Sequence, residues 1–76
     1  MTIKKIIGEN GALPKLCNSG ACPAAILVEN GDVFIQGYIP TLTENAVLTA
    51  PNGESFVRMP QATFEKIASQ ILARQI

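Results

Sequence analysis

Ala24-Ala25-Ile26-Leu27-Val28-Glu29-Asn30-Gly31-Asp32-Val33-Phe34-Ile35-Gln36-Gly37-Tyr38 is the stretch on which the fold turns. Two runs of strand-forming residues flank Asn30-Gly31, a pair whose tolerance of positive φ makes it the strongest short hairpin signal. A two-residue loop pairs Glu29 with Asp32, Val28 with Val33, Leu27 with Phe34 and Ile26 with Ile35. In that register one face carries Ala24, Ile26, Val28, Val33 and Ile35, and is expected to be core. The other carries Ala25, Leu27, Phe34, Gln36 and Tyr38, and is too apolar to be left wet without a reason.

Outward from this hairpin the signals become less even. Asn-Gly recurs at Asn10-Gly11 and Asn52-Gly53, but the flanking residues do not match, so the pairs are turns rather than marks of a repeat. Residues 1–14, with Lys4-Lys5, are expected to be a loosely ordered, solvated arm. Between Pro40 and Pro60 two readings compete. Ala46 to Thr49 can be a strand that turns through Pro51-Asn52-Gly53 into Ser55-Phe56-Val57-Arg58-Met59, and the framing β-branched and turn residues favour this one. The alternative is a short helix capped by Thr43, with Glu44 in its first turn.

The C-terminal segment reads as a helix. Phe64, Ile67, Ala68, Ile71 and Leu72 recur at helical spacing along one stripe. Pro60 suits the first helical position, and Glu65 and Arg74 match the macrodipole. The expected fold is α+β: one domain over residues 1–76, a small antiparallel β-meander of three to four strands with one C-terminal amphipathic helix packed on its aliphatic face.

The totals bound the function. A 76-residue chain forms one small core, whose net contribution is only ~3–5 kcal/mol, yet 47% hydrophobic residues is far from a disordered composition. Six basic and six acidic side chains cancel, so no long-range field draws in nucleic acid or an anionic membrane. No apolar run approaches the ~18 residues of a membrane span, and the opening residues lack the features of a signal peptide. Cytoplasmic location is the default expectation.

The inventory of reactive groups is thin. Histidine is absent, which removes the commonest general base near neutral pH and the commonest metal ligand. No nucleophile elbow, P-loop or dinucleotide fingerprint occurs. Glu29 and Asp32 are the only neighbouring carboxylates expected, and an exposed turn withholds the burial that catalytic carboxyls use. An enzyme is not expected, and neither a cofactor nor a small-molecule substrate is implied.

Cys17 and Cys22 are the only cysteines, and four readings stand open for them. They can be two partly buried thiols at a strand entrance, or a disulfide clip that adds ~2 kcal/mol by closing a short loop. They can be half of a zinc site completed by a second copy. The fourth reading is a redox pair, although the spacing is not that of thioredoxin-type motifs.

The apolar face with polar-tipped residues points to a protein contact surface, because one aromatic ring supplies both buried area and a hydrogen bond. Leu27, Phe34, Gln36 and Tyr38, with Val33, mark the expected contact zone, and the expected partner is a protein, first of all a second copy in a homodimer. Phage-type inhibition of a host complex is the next reading. A thiol or zinc sensor built on Cys17 and Cys22 is the rival from another class.

The order of signals also carries a resemblance. A cysteine before a strand, Glu29 to Tyr38, the Pro51-Asn52-Gly53-Glu54 turn, and Pro60-Gln61 opening a helix that contains Phe64 follow one another over residues 17–72. This resembles small uncharacterised bacterial proteins encoded beside helix-turn-helix regulators, among them the Bld-type developmental regulators. The resemblance implies a non-enzymatic, self-associating modulator of a transcriptional or toxin-like partner.

Overall fold

In the computed structural model, which describes residues 1–17 and 22–73, four strands and two helices follow in the order β1 (Ile3–Gly8), β2 (Gly11–Leu13), β3 (Ala24–Val28), β4 (Val33–Gln36), α1 (Leu42–Val47) and α2 (Gln61–Leu72). The strands make one antiparallel sheet in the order β2-β1-β3-β4, and α2 packs on it. The expected α+β architecture of sheet and C-terminal helix is the observed one. The spatial order is not sequential, because the chain leaving β2 crosses to the far side of β1 before entering β3.

The first correction concerns residues 1–14. They are not a loose arm but the β1–β2 hairpin, and β1 is an interior strand paired on both sides. Ile6 and Ile7 are consecutive and both buried, as an interior strand covered on each face requires. The pairing shifts by one residue between Ile3 and Lys5, so Lys4 is accommodated as a bulge in the strand.

The second correction is the register of the central hairpin. Leu27 pairs with Val33, Ile26 with Phe34, Ala25 with Ile35 and Ala24 with Gln36, one step away from the pairing expected of a two-residue loop. The loop contains three residues, Glu29-Asn30-Gly31. The Gly31 N–H donates to the Val28 carbonyl at 3.2 Å, and the Val28 N–H donates to the Asp32 carbonyl at 3.2 Å. Gly31, at φ 95°, absorbs the extra residue as three-residue hairpins do. Asn30 Oδ1 accepts the Asp32 N–H at 2.9 Å, a local alternative to the tighter turn.

The one-step shift exchanges the faces of β3. Ile7, Ala25 and Ile67 form the core cluster, with Leu27, Met59 and Ile71 packed against it. The helix therefore covers Ala25 and Leu27 rather than Ala24, Ile26 and Val28.

Residues 39–59 hold the third correction. The favoured hairpin does not form. Residues 42–47 are the short helix α1, capped by Thr41 rather than Thr43. The Glu44 N–H donates to Thr41 Oγ1 at 3.2 Å, and the Thr41 N–H donates to Glu44 Oε1 at 2.8 Å, a complete capping box. The Pro51-Asn52-Gly53-Glu54 turn does form, with the Glu54 N–H on the Pro51 carbonyl at 3.1 Å. Its exit leads back to β4 through a bridge between Tyr38 and Arg58.

Helix α2 begins one residue later than expected, with Pro60 at its cap. Arg74 lies outside the described residues. Its stripe is also rotated. Ile67 is buried and Ile71 half-buried, but Phe64 and Leu72 are exposed and Thr63 is buried in their stead. Three polar anchors explain the rotation. Thr63 Oγ1 donates to Glu9 Oε1 at 2.9 Å, Gln70 Nε2 donates to the Gly8 carbonyl at 2.9 Å, and Lys66 Nζ lies 3.7 Å from Glu9 Oε1. These contacts draw the helix towards the β1–β2 turn and away from β4.

Candidate functional site

The rotation of α2 leaves a groove between the helix and β4. Val33 and Ile35 project from β4 on the helix side, opposite Leu27 and Ala25. Met59, Phe64, Ile71 and Leu72 supply the facing wall, and only apolar atoms line the groove, whose volume is about 230 Å³. Val33 is 50% exposed, Ile35 45%, Phe64 56% and Leu72 80%. Removing such surface from water is worth roughly 25 cal/mol per Å², so an open groove of this composition is a candidate contact surface.

The strand bordering the groove is also the edge of the sheet. In an antiparallel ladder the residues of one strand alternate between facing the partner strand and facing away. The Val28–Asp32 hydrogen bond makes Asp32 an inward-facing residue, and Phe34 and Gln36 follow it at steps of two. The N–H and C=O groups of Val33 and Ile35 therefore point outward from the sheet. No Lys, Pro or bulge blunts the edge over residues 33–36, whereas the opposite edge, β2, is three residues long and is followed by Pro14. Short edges and proline are the usual protections against edge pairing. β2 has both, whereas β4, one residue longer at four, has no proline within it.

The four residues expected to form one contact zone fall in three places. Leu27 is half-buried against the core under α2, across from Val33 and not from Phe34. Phe34 stands 48% exposed on the opposite face of the sheet. Gln36 shares that face, where its Nε2 donates to the Cys17 carbonyl at 3.3 Å. Tyr38 lies beyond β4 and exchanges two backbone hydrogen bonds of 2.7 Å with Arg58. The Arg58 guanidinium sits 5.0 Å from its ring centroid and 3.8 Å from Glu44. Tyr38 thus clamps the 52–58 segment and α1 to the end of the sheet. Sequence reasoning missed Ile35, Phe64 and Leu72 as the lining of an open groove because all three were assigned to the covered face.

Cys17 and Cys22 are joined by a disulfide with their Cα atoms 6.1 Å apart. The bridge lies beside the β1–β2 turn, and with Gly8, Leu13 and Pro23 it borders a second hollow of about 310 Å³. Among the described residues no group of three or more His, Cys, Asp or Glu side chains is placed to hold a metal ion, and no helix is long and apolar enough to cross a membrane.

No family model, curated protein or solved structure matches this chain.

Proposed function

We propose that this protein is a non-enzymatic interaction module that binds a protein partner by adding a strand to β4 and seating apolar side chains in the groove against α2. The observation that carries the reading is the coincidence of the two features: an unprotected strand edge and a wholly apolar groove share Val33 and Ile35. Strand addition divides the labour in this way, with main-chain hydrogen bonds giving affinity and alternate side chains in pockets giving specificity. The partner is a transcriptional regulator or a toxin-like protein whose activity the module modulates. Inhibition of a host complex by a phage-type protein uses the same surface.

The test is capture of the proteins encoded by the neighbouring genes, compared between wild type and Phe64→Ser. The substitution removes the exposed groove wall and leaves the buried Ile67 in place. Capture lost in the variant supports the reading; equal capture by both removes the groove from the function. A second reading draws on the Cys17–Cys22 bridge. A thiol sensor of this design couples the redox state of the pair to the sheet face through the Gln36–Cys17 contact, and partner affinity that changes on reduction is its signature.

A further inference from the structure

Asn-Gly occurs at residues 10–11, 30–31 and 52–53, and the fold treats the three pairs differently. We infer that Asn52 is a site of spontaneous deamidation in the folded protein, through a cyclic imide formed with Gly53, and that hydrogen bonds protect the other two pairs. The inference goes beyond the interaction-module reading and holds whatever the groove accepts.

The chemistry needs no enzyme. The backbone nitrogen of the residue after the asparagine, once base has taken its proton, attacks the side-chain carbonyl carbon. A C–N bond forms there, the bond to the side-chain nitrogen breaks, and ammonia leaves with a proton from water. Water then opens the imide at either of its carbonyl carbons and leaves aspartate or isoaspartate. The net change is one water gained and one ammonia lost. Glycine favours the attack because no side chain shields its nitrogen and its backbone turns freely. The attack also requires that the nitrogen be free of a hydrogen bond and that the asparagine side chain can swing onto it.

Open space surrounds the missing Cβ of Gly11, Gly31 and Gly53 alike, so steric access does not separate the pairs. Hydrogen bonding does. Gly11 closes the β1–β2 hairpin opposite Gly8, where a two-residue loop commits its N–H to the Gly8 carbonyl. Gln70 pins the same turn from α2, its Nε2 donating to the Gly8 carbonyl at 2.9 Å and to the Glu9 carbonyl at 3.4 Å. At the central hairpin the Gly31 N–H donates to the Val28 carbonyl at 3.2 Å, and the Asp32 N–H holds Asn30 Oδ1 at 2.9 Å. Nucleophile and electrophile are both occupied in that pair, and the loop must open locally before they meet.

The third pair lacks these restraints. Pro51-Asn52-Gly53-Glu54 is closed by the Glu54 N–H on the Pro51 carbonyl at 3.1 Å, a turn that engages the N–H of its fourth residue and not that of its third. Among the described residues neither the Gly53 N–H nor the Asn52 side chain has a hydrogen-bond partner, and both residues are exposed. Conversion adds a carboxylate two residues before Glu54, in a chain whose six basic and six acidic side chains otherwise cancel. The isoaspartyl product also routes the main chain through the side-chain carbon, and the lengthened turn no longer sets the Glu54 N–H on the Pro51 carbonyl.

The experiment incubates the intact folded chain at mildly alkaline pH in water labelled with heavy oxygen, which enters when the imide opens and marks conversion during the incubation. Peptide mapping by mass spectrometry locates the label, isoelectric focusing follows the charge, and the chain unfolded in urea gives the intrinsic reactivity of each pair. Relative to that reference, folding is expected to favour Asn52 over Asn30 and Asn10 by about tenfold or more, the factor that one net hydrogen bond on the nitrogen represents. An acidic band should grow in step with conversion at residue 52. Asn52→Gln, whose longer side chain closes the ring far more slowly, should suppress it. Asn30 or Asn10 converting as fast as Asn52 in the folded chain overturns the inference, as does an Asn52 that converts only in urea. Identical site ratios in the folded and unfolded chains, or an acidic band that grows as fast in Asn52→Gln, overturn it too.

Discussion

Gly37→Ala is the sharpest test of how the sheet holds the rest of the chain. A Cβ at residue 37 would stand 2.8 Å from the Arg58 carbonyl oxygen and 3.1 Å from Val57 Cβ and Cγ2. The first of these is backbone and cannot rotate away, so the 57–58 segment must retreat. That retreat strains the two 2.7 Å hydrogen bonds between Tyr38 and Arg58, each worth about 1 kcal/mol net. Overpacking contributes a further ~1–3 kcal/mol, and the combined loss is about 2–4 kcal/mol. In a domain of this size each kcal/mol moves the midpoint by roughly 4–8 °C, so Tm should fall by at least about 8 °C. Thermal and urea unfolding measure the loss. Tyr38 is the only tyrosine in a chain without tryptophan, so its emission reports on the Arg58 contact directly. Gly31→Ala is the control: φ is 95° there with open space around the missing Cβ, which leaves only backbone strain of about 1–2 kcal/mol and an undisturbed Tyr38. A Gly37→Ala protein no less stable than Gly31→Ala, with unchanged tyrosine emission, would refute the clamp.

Three further outcomes are expected. Thr41→Ala removes the capping box of a helix that buries none of its residues; the ~1 kcal/mol loss should appear as faster amide exchange at Asn45 and Leu48 with little change in global Tm. Thr63→Val and Gln70→Ala should each cost about 1 kcal/mol, and the double variant should deviate from additivity by at least ~0.5 kcal/mol, since both side chains tether α2 to Gly8–Glu9; strict additivity in urea titrations would separate the two anchors. Reducing the Cys17–Cys22 disulfide, which closes a loop with a sequence separation of 5, should cost ~2 kcal/mol on the chain-entropy estimate, read as a lower urea midpoint that returns on reoxidation.

The parts of the fold legible in the sequence are those decided by local periodicity. The spacing of Ile67 and Ile71 marks α2 because one helical face must be apolar to pack. Its rotation is not legible, since the acceptors for Gln70 and Thr63 are the Gly8 carbonyl and Glu9, more than fifty residues away in the chain. The β1 strand escapes notice because Lys4-Lys5 interrupts the alternation and the bulge resets its phase. Thr41 and Glu44 carry the capping-box spacing in plain view, yet the β-branched residues around them weigh towards a strand. Helix α1 prevails through its cap and the Glu44–Arg58 contact, without burying a single side chain.

The edge of the sheet does not depend on the register, because the change acts on one strand alone. In a two-residue loop Glu29 and Asp32 form the closing hydrogen-bonded pair, and in the observed three-residue loop Val28 and Asp32 do. Asp32 faces inward in both, so Phe34 and Gln36 face inward and Val33 and Ile35 outward in both. The edge that β4 presents is thus independent of how β3 slides beneath it. What the slide does alter is β3 itself: Leu27 passes from the presumed contact face to the core beneath α2. A charge at Leu27 should therefore unfold the protein, whereas a charge at Ile35, already 45% exposed, should leave it folded. Leu27→Glu and Ile35→Glu compared by circular dichroism separate the two registers, and a folded Leu27→Glu variant would restore the two-residue loop.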